Sequence, residues 1–260
     1  MKKFEGYLIH SDLDGTFAKG ETIYRENVEA IKYFTENGGK FAFCTGRPTD
    51  CLRDLKMLDI INAPVCILNG AVIYDYEKEK VLFEKRLSFK VSQFLSCIKK
   101  YSAKIDRIRC YFSHNGDSFL GGIDDYIPQE QLSIYPIKTV CYFKNGEDAD
   151  EFKSSVSQLS LFNDTLITKS CPILVEFNNF NATKGTALKF SKEFLDGIHT
   201  TVGIGDYDND IELLKGADLK VAVSNAVPQL KEIADIIAKP VEEFALADLV
   251  KIIENKLESD

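Results

Sequence analysis

Short continuous apolar runs alternate with amphipathic stretches at both ends of this chain. Tyr7-Leu8-Ile9-His10-Ser11 is a short apolar run that stops at a carboxylate-rich turn. Val28, Ile31, Tyr33 and Phe34 then fall near helical spacing, which predicts a helix over 27–37 with Gly38-Gly39 as its stop. Phe41-Ala42-Phe43-Cys44 is a second buried run, closed by Thr45-Gly46-Arg47-Pro48. A helix over 50–58 and a third apolar run, Val65-Cys66-Ile67-Leu68, follow. Strand, helix, strand, helix, strand with short turns is the signature of a parallel sheet covered by helices on both faces.

That alternation breaks near residue 70. The stretches 71–76 and 80–87, around a charged Glu77-Lys78-Glu79 turn, read as a hairpin. Beyond it the pattern predicts a helix over 92–101, strands over 107–113, 117–120 and 137–143, a helix over 149–159 and a strand over 174–177. Strands in clusters with Asn-Gly turns at 115–116 and 145–146 indicate an α+β unit. The first pattern resumes after Asn181, with helices over 184–194, 229–234 and 245–257, a helix starting at 210–214, and strands over 201–204 and 219–223. The expected fold class is therefore α/β: a Rossmann-like parallel-sheet core built from 1–81 plus 183–260, with residues 82–182 inserted as an α+β cap.

Composition narrows the function. The 260 residues carry 32 Lys+Arg against 40 Asp+Glu, a formal net charge of −8. Residues 82–182 sum to zero, so the core carries the whole excess. An acidic chain is a poor match for nucleic acid or an anionic membrane. No stretch approaches the ~20 continuous apolar residues of a membrane span, and the start of the chain lacks the apolar run of a signal peptide. Seven scattered cysteines without a C-x-x-C pair read as reduced, buried thiols, so a cytoplasmic protein is expected.

Four segments carry chemistry. Asp12-Leu13-Asp14-Gly15-Thr16 directly follows the first strand; four fixed positions coincide by chance on the order of 10⁻⁵ times per site, so an incidental acidic turn is the weaker account. Thr45-Gly46 closes the second run, where a hydroxyl and a bare backbone can approach an oxyanion at the carboxyl end of a parallel strand. Asn181-Ala182-Thr183-Lys184-Gly185 opens a helix; a lysine there is useful if it and free backbone N–H groups face one anion, and otherwise is a solvated surface residue. Gly205-Asp206-Tyr207-Asp208-Asn209-Asp210 crowds three carboxylates that repel one another unless a hard cation lies among them. Carboxylates, a hydroxyl and an amine at one sheet edge suit phosphoryl transfer, with a divalent cation and Lys184 offsetting the negative charge.

These motifs resemble the haloacid dehalogenase-like superfamily of aspartate-nucleophile phosphotransferases, and more narrowly the Cof-type phosphatases with an inserted α/β cap. The resemblance runs through the chain in order: D-x-D-G-T at 12–16, T-G-R-P at 45–48, N-G-A at 69–71, K-G at 184–185, G-D-x-x-N-D at 205–210 and V-A-V-S-N-A at 221–226. It implies that Asp12 is the nucleophile and Asp14 the general acid/base. It implies further that Thr45, Gly46, Lys184 and Asn209 hold the phosphoryl group. Mg²⁺ would be bound by the Asp12 carboxylate, the Asp14 backbone carbonyl and Asp206, with Asp210 supporting a ligand water. Where many Cof-type relatives carry an Asp-Gly-Val turn, this chain reads Glu242-Glu243-Phe244-Ala245.

The expected function is a Mg²⁺-dependent phosphatase acting on a small phosphorylated metabolite, working as a monomer or weak homodimer without nucleic-acid or membrane partners. Two rivals stand beside it. A phosphomutase of the same superfamily would need several basic cap residues, for which Arg107, Arg109 and Lys169 are available. A non-catalytic binding module would normally have lost the acid/base or the lysine. His10 is expected in the core, His199 in a loop and His114 at a hairpin tip, none of them catalytic.

Overall fold

The computed structural model describes residues 2–259. Five parallel strands form the central sheet, in the order Ile236–Ala238, Leu219–Val223, Thr200–Gly205, Tyr7–Ser11 and Lys40–Phe43. Its middle strands are almost continuously buried, as expected where helices cover both faces. The helix Arg25–Glu36 packs on Ala245–Ser259, and Lys184–Phe194 packs on Ile211–Gly216. The edge strand Ile236–Ala238 has only three residues and follows a short helix, too brief to show an apolar pattern.

The third apolar run departs from the expected parallel sheet. Val65–Ile67 is buried in the main apolar cluster but joins the central sheet through a single parallel bridge, Cys44 to Cys66. It then pairs antiparallel with Val72–Asp75, which pairs with Lys80–Glu84. The chain reverses at Leu68, Asn69 and Gly70, all with positive φ (50°, 62° and 98°). A parallel neighbour would need a crossover of a dozen residues or more, and this turn leaves none.

Residues 105–179 build a second, wholly antiparallel sheet in the order Thr165–Cys171, Leu174–Asn179, Lys138–Phe143, Ile105–Tyr111, Ser118–Gly121. The strand Thr165–Cys171 was not expected; its Thr-Leu-Ile-Thr-Lys-Ser-Cys sequence is half-buried along most of its length and lacks a clean alternation. The neighbouring strands do alternate. Ile108, Cys110, Cys141, Phe143, Val175 and Phe177 lie in one apolar cluster with Phe94 and Phe152 of the helices Val91–Ile98 and Gly146–Val156. The opposite face carries Arg109, Tyr111, Lys138, Val140 and Glu176, and it meets the core: Tyr111 and Val140 join the main apolar cluster. Lys80–Glu84 also packs with that main cluster, and the second cluster begins at Leu87.

All seven cysteines are unpaired. His199 lies in a loop and His10 is fully buried in the sheet, as expected. His114 sits at its hairpin tip but is not free in solvent; its ring stacks on Tyr74 at 5.5 Å. Neither ring nitrogen of His10 has a hydrogen-bond partner, and burial lowers its pKa from 6.5 to about 3. The unfolded chain therefore takes up a proton below pH 6.5 that the folded protein refuses. Stability linked to His10 is intact above pH 6.5 and falls by roughly 1.4 kcal/mol per pH unit below it. Urea titrations across that range should show His10→Leu with a flatter acid limb; an unchanged slope would contradict this account.

Candidate active site

Parallel register brings the motifs together. Ser11 lies level with Phe43 on one side and Ile204 on the other. The next residues, Asp12, Cys44-Thr45 and Gly205-Asp206, therefore emerge side by side at the carboxyl edge of the sheet, where ligands bind in open α/β folds. Lys184 arrives from the adjoining helix, whose first turn is held by a reciprocal bond between Thr183 and Thr186.

Lys184 is 1% exposed, and its Nζ donates to Asp12 Oδ1 at 2.5 Å and to Asp210 Oδ1 at 2.6 Å. The other oxygen of Asp210 accepts from the backbone N–H groups of Asp206 and Tyr207 at 3.0 and 3.2 Å, which fixes the acidic loop. Burial acts against the lysine's charge, but Asp12 and Asp210 more than offset it and its pKa is raised. Burial likewise pushes the Asp12 carboxyl up; the Lys184 ammonium opposes that shift, and Asp210 and Asp206 add to it. Asp206 is pushed up to about 7, by burial first and then by Asp210.

Asp12, Asp206 and Asp210 each present a carboxylate oxygen within 4.8 Å of the others. Three hard oxygen donors, two of them bound to one lysine and the third raised by burial and by Asp210, form a set that a divalent cation would relieve. Two glycines make this packing possible. A Cβ on Gly15, whose φ is +87°, would lie 2.2 Å from Asp206 Oδ2; one on Gly205 would lie 2.3 Å from Asp210 Cγ.

The remaining expected residues divide into two groups. Asp14 is not part of the three-carboxylate group, and Arg47 grips it at both oxygens, Nε to Oδ2 at 2.8 Å and Nη2 to Oδ1 at 2.5 Å. Thr45 is fully buried, and its Oγ1 accepts from the Arg47 N–H at 3.2 Å. Gly46 and Asn209, with Asp12, Asp14 and Asp206, line a cavity of about 420 Å³. Its opposite wall comes from the antiparallel sheet: Arg109, Tyr111, Lys138, Tyr142 and Glu176. The Glu242–Ala245 segment is not part of this wall.

Sequence reasoning did not single out Lys138, Glu176 or the Arg47–Asp14 pair, and it gave Asn69 no role. Lys138 and Glu176 had one signal, a charge inside an otherwise apolar strand, as in Lys138–Phe143 and Leu174–Phe177. Arg47 and Asp14 are 33 positions apart and had none.

Comparison with known proteins agrees with this geometry. A Bacillus subtilis 5-amino-6-(5-phospho-D-ribitylamino)uracil phosphatase, YwtE, is 27% identical over 277 residues, covering 92% of this chain and 95% of its own. A phosphoglycolate phosphatase from Sulfurisphaera tokodaii is 27% identical, covering 88% and 86%. Among solved structures, a Streptococcus mutans protein superposes with a TM-score of 0.79 at 20% identity over 96% of this chain and 98% of its own. The subclass IIB sugar phosphatase BT4131 does so with 0.75, also at 20% identity, over 95% and 98%; such likeness establishes the shared fold. The haloacid dehalogenase-like hydrolase family matches residues 9–250, and with nearly the whole chain covered and its acidic motifs gathered at one sheet edge, this protein belongs to that family.

Proposed function

We propose that this hydrolase is a Mg²⁺-dependent phosphatase that cleaves a small phosphorylated metabolite in two steps through an aspartyl phosphate at Asp12. The observation that carries the reading is Lys184, a buried cation that joins Asp210 to Asp12, and Asp12 in turn lines a cavity large enough for a small metabolite. The two curated relatives described above act on phosphate monoesters by name, which favours hydrolysis over mutase chemistry.

Each step uses groups already in place. Lys184 holds one Asp12 oxygen; no donor among the described residues meets the other, which is free to attack phosphorus in line. The bond to the leaving oxygen breaks as Asp14 gives that oxygen a proton, which requires the Arg47 fork to part from Asp14. Asp14 then takes a proton from the water that attacks the aspartyl phosphate, releasing phosphate and restoring Asp12. Gly46, Asn209 and Lys184 orient the phosphoryl oxygens, with Thr45 supporting the loop from behind. Mg²⁺ held by Asp12, the Asp14 carbonyl and Asp206, with Asp210 behind, would neutralise charge that develops on those oxygens. Residues 82–182 act as the cap that encloses the leaving group and reads it.

The test is phosphate release from a panel of phosphorylated metabolites. Turnover should stop in EDTA and return with Mg²⁺ but not Ca²⁺, which tolerates looser geometry. Because Asp206 holds its proton up to about pH 7, the Mg²⁺ concentration for half-activation should rise as pH falls through 7. Full activity in chelator would remove the metal from the mechanism. An isomerised sugar phosphate without free phosphate would establish the mutase instead.

A further inference from the structure

Of the three charged groups on the cap-side wall that these steps leave unused, Arg109, Lys138 and Glu176, the last two form a buried pair. Lys138 and Glu176, 1% and 4% exposed, pair at 2.8 Å on the inward face of the antiparallel sheet. A buried ion pair contributes little net stability and persists where its remaining donors and acceptors are met. Here they are met across the seam. Lys138 Nζ donates to the Gly46 carbonyl at 3.1 Å, and Asn69 Nδ2 donates to Glu176 Oε2 at 2.7 Å. Asn209 Nδ2 in turn donates to Asn69 Oδ1 at 3.3 Å, and the Asn69 N–H donates to the Thr45 carbonyl at 2.9 Å.

This chain of bonds has a direction. A carboxylate only accepts, so Glu176 obliges Asn69 to point its amino group toward it and its oxygen toward Asn209. Asn209 must then present Nδ2 to Asn69, which keeps its second N–H for the cavity. Lys138 likewise holds the Gly46 carbonyl, whose negative end would repel a phosphoryl oxygen, while the N–H of the same peptide unit donates to Thr45 Oγ1.

We infer that Lys138 and Glu176 are positioning residues of the phosphoryl pocket: the docked cap sets the Gly46 peptide and the Asn209 amide, so the pocket is complete only when both units are together. The inference rests on the phosphatase reading and adds to it that cap residues act on every substrate alike, whatever its leaving group.

Three variants test it. Glu176→Gln can donate as well as accept, which frees Asn69 to flip. Lys138→Met with Glu176→Leu replaces the pair by apolar groups of similar volume, a change that buried pairs often tolerate. Lys153→Ala removes the ion pair of Lys153 with Asp208, a link outside the phosphoryl pocket. The readouts are the Kd for inorganic phosphate with Mg²⁺ by calorimetry, and KM and kcat for p-nitrophenyl phosphate and acetyl phosphate, with circular dichroism as the folding control.

The first two variants should weaken phosphate binding roughly tenfold or more and raise KM for both esters by the same factor, while Lys153→Ala changes neither. Wild-type phosphate affinity in folded Glu176→Gln and in the double variant overturns the inference. So does an equal loss in Lys153→Ala, which would mean that any loosening of the cap suffices. In either case an enzyme still silenced by Asp12→Asn keeps the phosphatase reading intact. A wild-type protein that neither binds phosphate nor turns over either ester overturns both.

Discussion

Asp12→Asn should lower kcat by roughly 10⁴-fold or more while the protein keeps its fold and still binds substrate. The amide is nearly the same size as the carboxylate, but it is uncharged and a poor nucleophile. Ser170 lines the cavity too, but among the described residues no side chain accepts a hydrogen bond from its hydroxyl to activate it. Cys51 and Cys171 line the wall, yet burial raises both thiols above their usual pKa and keeps them protonated. Steady-state kinetics on protein shown by mass spectrometry to be free of deamidation would check the result. A tenth of wild-type activity would place the nucleophile elsewhere.

Lys184→Met should have the second-largest effect, and in two properties at once. Among the described residues, Lys184 is the cation that hydrogen-bonds both Asp12 and Asp210. Removing one partner from a buried charge network costs about 3–5 kcal/mol. For a domain of this size that corresponds to a Tm lower by roughly 10 °C in chelator. Divalent cation should recover part of this loss, because a metal among Asp12, Asp206 and Asp210 offsets the same charge. Turnover should not recover, because the donor to the phosphoryl oxygens is gone. Calorimetry with and without Mg²⁺ separates the two effects; an unchanged Tm in chelator would mean that the carboxylates simply protonate without cost.

The residues gathered at the carboxyl edge of the sheet were legible in the sequence because they are local. Asp12 and Asp14, Thr45 and Gly46, Asp206, Asn209 and Asp210 each sit in a short motif at the end of an apolar run, and strand register does the rest. Register also explains why Lys184 joins them from far along the chain: its helix lies against the strand that ends at Gly205. The antiparallel pairing of Val65–Ile67 was not legible, because a buried apolar run looks the same in either kind of sheet. Direction there depends on three consecutive left-handed residues at 68–70. The Lys138–Glu176 pair was invisible for a related reason. A charge in a strand shows that something faces it, and only tertiary packing shows that the something is Gly46 and Asn69.

Cap and core therefore differ in how their roles could be read. Every residue assigned to bond-making lies in 1–81 or 183–260, whereas the side chains that orient Gly46 and Asn209 come partly from the inserted sheet. Alternation along Lys138–Phe143 and Leu174–Asn179 produces both functions from the same strands: one face packs on Phe94 and Phe152, and the other faces the cavity.

The central claim is that phosphoryl transfer passes through Asp12 in two displacements, and stereochemistry at phosphorus tests it without needing the intermediate to accumulate. A thiophosphate ester made chiral at phosphorus by oxygen isotopes would be hydrolysed in isotopically labelled water and its product analysed for configuration. Two successive in-line attacks, first by Asp12 and then by water, predict net retention. Net inversion would mean that water attacks the ester directly, and would contradict Asp12 as the nucleophile.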